Sequence, residues 1–327
     1  MKIFILENND IQYDGNDRNR SILRGAELAV INYSEELASH NYDVFVLNNC
    51  KKETTVNKVH YININKNNET FNCDIAIANS DANLFKYVKS KKNFILSHSI
   101  QNFEKFIRKN QLISFLKYKP KVLCFSKYHY EKRSFLTSFF GKEIIIPSID
   151  NDYFDVDLPN IKNKDAIFYS RGDRNGSLVI DIWKKLFKEK NLNHKLFISS
   201  DLYSSQTNLS NFNIIQKEFM EKEELINFLK KFRILVIPGH KGEVFCNVAE
   251  EAKALCIPIV TLGIGALKER VINNYNGYLC NDLEDFKNKI YHLLNNDDDY
   301  LRLKKNLIKD RGKNRWSDTT ASLIKLF

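Results

Sequence analysis

ILVIPGHKGEVFCNVAEEAKALCIPIVTL, residues 234–262, is the stretch whose reading decides the fold. Residues 234–238 and 258–262 are apolar runs of strand length, and the segment between them carries apolar residues at helical spacing. Two such strands joined through a helix make a βαβ unit, with parallel strands buried on both faces. On a 100° wheel, Val244, Phe245, Val248, Ala252 and Leu255 share one face of a helix expected over about residues 244–255. Glu250 then points to solvent. Glu251 falls at the margin of the apolar face, where a carboxylate needs a partner or a cleft. Glu243 precedes the first turn, beside free N–H groups that attract anions.

The same alternation runs outward in both directions. Residues 2–6, 43–47, 74–78, 93–97, 122–126 and 143–147 read as buried strands before a polar, turn-rich stretch at 151–165. Residues 166–170, 195–199 and 212–216 resume the pattern, with helices expected at about 177–190, 222–231 and 283–294. The fold class is therefore α/β, with two doubly wound parallel-sheet domains, residues 1–150 and 151–305. Residues 306–327 form a C-terminal helical segment. Ligands of such sheets bind where strands end and helices begin, so chemistry is sought in those loops.

With 327 residues, 43% hydrophobic and 28% charged, the chain is long enough for two cores and too ordered in composition for a disordered protein. No run approaches a membrane span, and the start, MKIFILENND, reads as a buried strand rather than a secretory signal, which points to the cytoplasm. The six cysteines are scattered without a metal-ligand spacing, and no metal is expected. The net charge of +10 is concentrated: residues 86–133 hold 13 basic residues against Glu104 and Glu131. That segment, with Lys89, Lys91, Lys92, Lys105, Arg108 and Lys109, suits an anionic partner, either a membrane leaflet or an anionic acceptor.

These segments resemble family 4 glycosyltransferases, retaining enzymes of the GT-B fold. Glu243 and Glu251 have the family's E-x7-E spacing, with Phe245 and Ala252 in register, a Pro258-Ile259-Val260 strand and a closing Asn276-Gly277. SILRGAELAV (21–30) is similar to the family's first glycine-rich loop, ILSHSIQ (95–101) to a strand end bearing an active-site histidine, and AIFYSRGDRNG (166–176) to a phosphate-binding loop. The resemblance implies two Rossmann-like domains facing a central cleft, with the last helix packed back on the first domain. It implies a nucleotide-sugar donor, a UDP- or GDP-sugar, held by the second domain, and a glycan or lipid-linked acceptor held by the first. Sugar transfer would proceed with retention and without cofactor or metal.

By position, Glu251 would accept hydrogen bonds from the ribose hydroxyls and Glu243 would lie near the transferred sugar. His98 would contact that sugar too. Arg171 and Arg174 would neutralise the diphosphate, Gly25 would let the first loop approach it, and the N–H groups of Phe245, Cys246 and Asn247 would bind it or the sugar. Four positions depart from the family pattern: Cys246 and Cys256 stand where it has glycine, Asn175 where it has lysine, and Arg24 precedes Gly25–Ala26 where the first loop has a leading glycine. Two other readings stand beside this one. A nucleic-acid-binding protein could use the basic segment and its aromatics, although most recur at core spacing. A degenerate GT-B subunit could bind nucleotide-sugar without transferring it. Asp150 and Asp152 have the spacing of a metal-binding Asp-x-Asp pair, and their position at the domain junction favours a turn role.

Overall fold

The computed structural model describes residues 1–20, 23–67, 69–159, 163–171, 173–199, 209–218 and 220–327. They divide into two units: residues 1–148 with 314–327, and residues 149–313.

The first unit is built on eight strands: β1 (Lys2–Leu6), β2 (Asp43–Asn48), β3 (Thr54–Val56), β4 (Val59–Asn63), β5 (Phe71–Asn79), β6 (Val88–Leu96), β7 (Lys121–Cys124) and β8 (Lys142–Ile144). Their order is β3-β4-β2-β1-β5-β6-β7-β8, parallel throughout except for β3 against β4. Ile3, Phe4, Ile5 and Leu6 are fully buried, as a central strand covered on both faces requires. β3 and β4 lack a continuous apolar run, and sequence periodicity does not reveal them. The order reverses on either side of β1, which pairs with β2 and β5, so the loops after β1 and β5 open at a switch point.

The last helix, Trp316–Ile324, belongs to this unit. It packs on the helix Gly25–Ser39, with Trp316 edge-on to Tyr33 at 4.8 Å, and Thr319 donates to the Ile146 carbonyl at 2.8 Å. The helix Asp297–Asp310 stays with the second unit, so the chain changes unit at residue 314 rather than at 306.

The second unit holds β9 (Ala166–Phe168), β10 (Leu196–Ser199), β11 (Ile214–Lys217), β12 (Ile234–Val236), β13 (Ile259–Thr261) and β14 (Gly277–Leu279). All pair in parallel, in the order β11-β10-β9-β12-β13-β14. Here β9 and β12 flank the switch point, which sets the loop carrying Arg171 and Arg174 beside the loop carrying Glu243.

Candidate active site

The loop after β12 is fixed by close backbone packing on the loop after β13. Gly239 (φ 93°) bridges Ile264, and a Cβ on it would lie 2.4 Å from the Ile264 carbonyl oxygen. Gly265 (φ 74°) would place a Cβ 2.3 Å from the His240 oxygen. Only glycine fits both conditions, a left-handed backbone and a neighbouring chain in van der Waals contact. Glu243 closes the turn: its N–H donates to the His240 carbonyl at 2.9 Å, its carboxylate accepts the His240 N–H at 3.1 Å, and its carbonyl accepts from Ala266 N–H at 3.0 Å. The Glu243 carboxyl is buried, and burial raises its pKa, an effect opposed by the nearby Arg174 guanidinium.

Arg174 is the arginine that reaches this loop. Its Nη1 donates to His240 Nδ1 at 2.7 Å, and Gly242 N–H donates to the same nitrogen at 3.0 Å. Two donors on Nδ1 make it the acceptor and put the ring proton on Nε2. His240 carries no motif signature in the sequence, and its role emerges only from this geometry. Asn175, in the left-handed region at φ 65°, donates to the Gly239 carbonyl at 2.6 Å and joins the two loops. Asparagine tolerates that conformation better than lysine, which accounts for its presence at this position. Arg171 is 73% exposed and pairs with Asp173 at 2.8 Å, so its guanidinium lies outside the Glu243 cluster. Gly172, between these segments, lies outside the described residues, as do Ser21 and Ile22 of the first glycine-rich segment.

The helix starts at Asn247, not near 244, and runs to Ala254. Val244 and Phe245 are buried, but as part of the docked loop rather than of a helical face. Cys246 is the N-cap residue, at φ 72° and ψ 78°, and Cys256 sits at φ 55°. Both positions where the resembled family has glycine are therefore left-handed, which is the physical reason for glycine there. Ala249 and Glu250 N–H both return to the Cys246 carbonyl, so the N–H groups of Asn247 and Val248 have no intrahelical acceptor.

Glu250 corrects the sequence reading. It is not solvated: its side chain is 14% exposed and pairs with Lys253 at 2.9 Å and with Arg270 at 3.5 Å. Arg270 in turn lies over the Phe245 ring at 4.7 Å. Glu251, on the neighbouring face, is partly buried, and among the described residues nothing donates a hydrogen bond to its carboxylate. Loss of hydration, with Asp150 adding repulsion, pushes its pKa up to about 7. Asp150 and Asp152 are themselves held by Lys222, at 3.0 and 2.6 Å. That ion pair accounts for the Asp-x-Asp spacing, and among the described residues no cluster of three metal-ligating side chains occurs.

In the first unit, His98 follows β6 and contacts the Phe125 ring edge-on at 4.8 Å. Its buried Nε2 has no hydrogen-bond partner among the described residues, and desolvation lowers its pKa to about 4, so the ring is neutral at pH 7. Behind it lies a network that the sequence does not disclose. Arg133, read only as part of a basic run, is 3% exposed; it donates to Ser97 Oγ at 2.8 Å, to Gln101 at 3.1 Å and to the Thr137 carbonyl at 2.8 Å. His129 joins it through Ser97 at 3.2 Å. Gly25 begins the helix Gly25–Ser39, whose Glu27 carboxylate accepts the Arg24 N–H at 3.0 Å. Past the end of β1, Glu7 is buried and accepts hydrogen bonds from Tyr13 and Asn79; burial raises its pKa to about 7.

The six candidate basic residues fall into two groups. Lys89, Lys91 and Lys92 stand on β6 and line a cavity of about 660 Å³ with Lys117, Lys119 and Lys121; Lys91 pairs with Asp74 at 2.6 Å. Lys105, Arg108 and Lys109 lie on or just after the helix Phe103–Arg108. Of the aromatics interleaved with them, Phe94, Phe106 and Phe115 are core residues.

Residues 159–310 match the family model described as Glycosyl transferases group 1. An uncharacterized glycosyltransferase of Methanocaldococcus jannaschii is 30% identical over 195 residues, 54% of this chain. The match spans about half (50%) of that relative's length. Among solved structures, sucrose-phosphate synthase from Thermosynechococcus elongatus superposes with a TM-score of 0.70 at 13% identity, covering 99% of this chain and 98% of that one. The Anabaena protein HepE in complex with UDP-glucose gives 0.68 at 12% identity, over 100% and 99% of the two chains. The chain has the α/β GT-B fold of two Rossmann-like parallel-sheet units.

Proposed function

We propose that this chain is a glycosyltransferase that moves a hexose-type sugar from a nucleotide-diphosphate-sugar, a UDP- or GDP-sugar, to a glycan or lipid-linked acceptor, with retention of configuration. One observation carries the reading. Glu251 is a partly buried carboxylate without a donor among the described residues, two turns from Glu243, inside the residues that match the group 1 model. An unpartnered carboxylate costs stability unless a ligand satisfies it. Vicinal ribose hydroxyls suit it, because an ionised carboxylate accepts two hydrogen bonds. The UDP-glucose bound to HepE supports a donor of this class.

In the reaction, the bond from the anomeric carbon to the diphosphate oxygen breaks, and the diphosphate leaves with the electron pair. The acceptor oxygen bonds to that carbon, and its proton passes to an oxygen of the departing diphosphate. Negative charge develops on the diphosphate, and its stabilisation is the main electrostatic demand. We assign that role to Arg174, with Arg171 swinging from Asp173, and to the free N–H groups at the helix start, without a metal or cofactor. Phe245, Cys246 and Asn247 supply the rest of the donor cradle. Glu243 positions the sugar hydroxyls, while His98, neutral at pH 7, offers a ring nitrogen rather than a charge. Gly25, bare of a side chain, leaves room for a phosphate group at the start of the helix Gly25–Ser39.

A panel of nucleotides and nucleotide-sugars tested by thermal shift checks this reading, since a ligand that binds only the folded state raises stability by RT ln(1 + [L]/Kd). A shift with one UDP- or GDP-sugar, followed by sugar transfer to an acceptor, is the expected result. No shift with any nucleotide would overturn it.

A further inference from the structure

The first unit exposes an apolar surface that its core does not need. Phe103 and Ile107 lie on the helix Phe103–Arg108, Ile113 and Leu116 on the helix Gln111–Tyr118, and Phe135 and Leu136 on the turn Phe135–Thr137; these six side chains are 42% to 73% exposed. The first helix packs on both the second helix and the turn, so the three segments adjoin. Their inward faces are already filled: Phe106 and Phe115 are buried and meet edge-on at 4.9 Å. Ile113 and Leu116 are one helical turn apart, on the side opposite Phe115. Single exposed apolar residues are ordinary, but six on adjoining segments form a patch of the kind that marks an interaction site.

The charges around the patch choose the partner. Lys105, Arg108, Lys109 and Lys132 border these side chains, and among the described residues none of the four meets a carboxylate; Glu104 and Glu131 are the nearby acids in sequence. A protein partner of ordinary composition would not demand this one-sided charge. An anionic lipid surface does, because phosphates attract the basic rim while acyl chains take the apolar side chains. No described helix is long and apolar enough to cross a membrane. We propose that residues 103–117 and 132–136 form an interfacial surface that docks on an anionic lipid bilayer, with Phe103, Ile107, Ile113, Leu116, Phe135 and Leu136 entering the headgroup region. Of the basic residues singled out from sequence, Lys105, Arg108 and Lys109 belong to this surface. Lys89, Lys91 and Lys92, on β6, do not. The proposal stands apart from the transfer reaction, since lipid binding is measured without donor or acceptor.

The test is co-sedimentation with vesicles of phosphatidylcholine and phosphatidylglycerol in equal parts, and with phosphatidylcholine alone. The wild-type chain is expected to bind the anionic vesicles and to bind the neutral ones at least about tenfold more weakly. The triple variant Ile113→Ser/Leu116→Ser/Phe135→Ser is expected to keep its melting temperature, because these side chains are mainly exposed, and to lose binding by at least about tenfold. Lys105→Gln/Arg108→Gln/Lys109→Gln should lower binding to anionic vesicles and leave neutral ones unaffected. Absence of binding at low salt would overturn the proposal. So would binding that survives the apolar triple variant, or a dimer in solution that the triple variant dissolves while vesicles remain unbound.

Discussion

Glu250 and Glu251 are neighbours on one helix, and the molecule treats them in opposite ways. Glu250 is enclosed by Lys253 and by Arg270, which arrives from twenty residues downstream. Among the described residues Glu251 meets no cation: a second carboxylate, Asp150, itself held by Lys222, lies near it, as do the Tyr153 phenol and the Cys246 thiol. The contrast separates a charge that serves the fold from one the fold leaves unsatisfied. A partnered acid holds elements together, whereas an unpartnered one raises the energy of the empty protein and lowers that of a complex that supplies donors.

Substitutions at the two positions sharpen the contrast. Glu251→Ala should weaken nucleotide binding about 100-fold, or more, since two hydrogen bonds to a charged group are lost, each worth ~1.5 kcal/mol or more. The same change made as Glu251→Gln should stabilise the empty protein by about 1–3 kcal/mol at pH 8, because ionising a group with a pKa raised to about 7 costs free energy. The sign follows from linkage. Between the ordinary carboxyl pKa and about 7, the folded state binds the extra proton, so wild-type stability falls as pH rises through that window. The stabilisation by glutamine should therefore shrink toward zero near pH 4.5, as thermal melts across pH will show. Glu250→Ala should do the reverse: a loss of about 1–3 kcal/mol in denaturant unfolding, with nucleotide affinity per folded molecule unchanged.

What the sequence disclosed follows the same division. The E-x7-E pair and the strands flanking it were legible because helix and strand periods are local properties. The fate of Glu250 was not, because Arg270 is brought over Phe245 by the tertiary fold. The helix start was misplaced for a related reason. Val244 and Phe245 look helical by polarity, yet the chain there is held as a loop by the close contacts at Gly239 and Gly265. β3 and β4 escaped notice because their residues, TTV and VHYIN, lack an apolar run. Arg133 counted as surface charge in a basic run, and only long-range hydrogen bonds to Ser97 and Gln101 reveal a buried clamp.

The smallest effect concerns the two left-handed cysteines. Relief of that conformation is worth ~1–2 kcal/mol, but the added chain entropy of glycine (~0.5–1) and the loss of a buried thiol (~1) offset it, so Cys246→Gly and Cys256→Gly should each change stability by less than about 1 kcal/mol. Chemical denaturation will read the difference. Cys246 adjoins Glu243 and the helix start, so its variant should also alter donor affinity, while Cys256→Gly should not.

The central claim is that Glu251 receives the nucleotide as a carboxylate. Calorimetric titration of UDP and GDP at pH 6, 7 and 8 into the wild-type chain and Glu251→Gln tests it most directly. For one nucleotide the wild type should bind about tenfold more tightly at pH 8 than at pH 6, as a group with a pKa of about 7 ionises. Glu251→Gln should bind it far more weakly and without that pH dependence. Equal affinity in the two proteins at pH 8, or the same pH slope in both, would contradict the account.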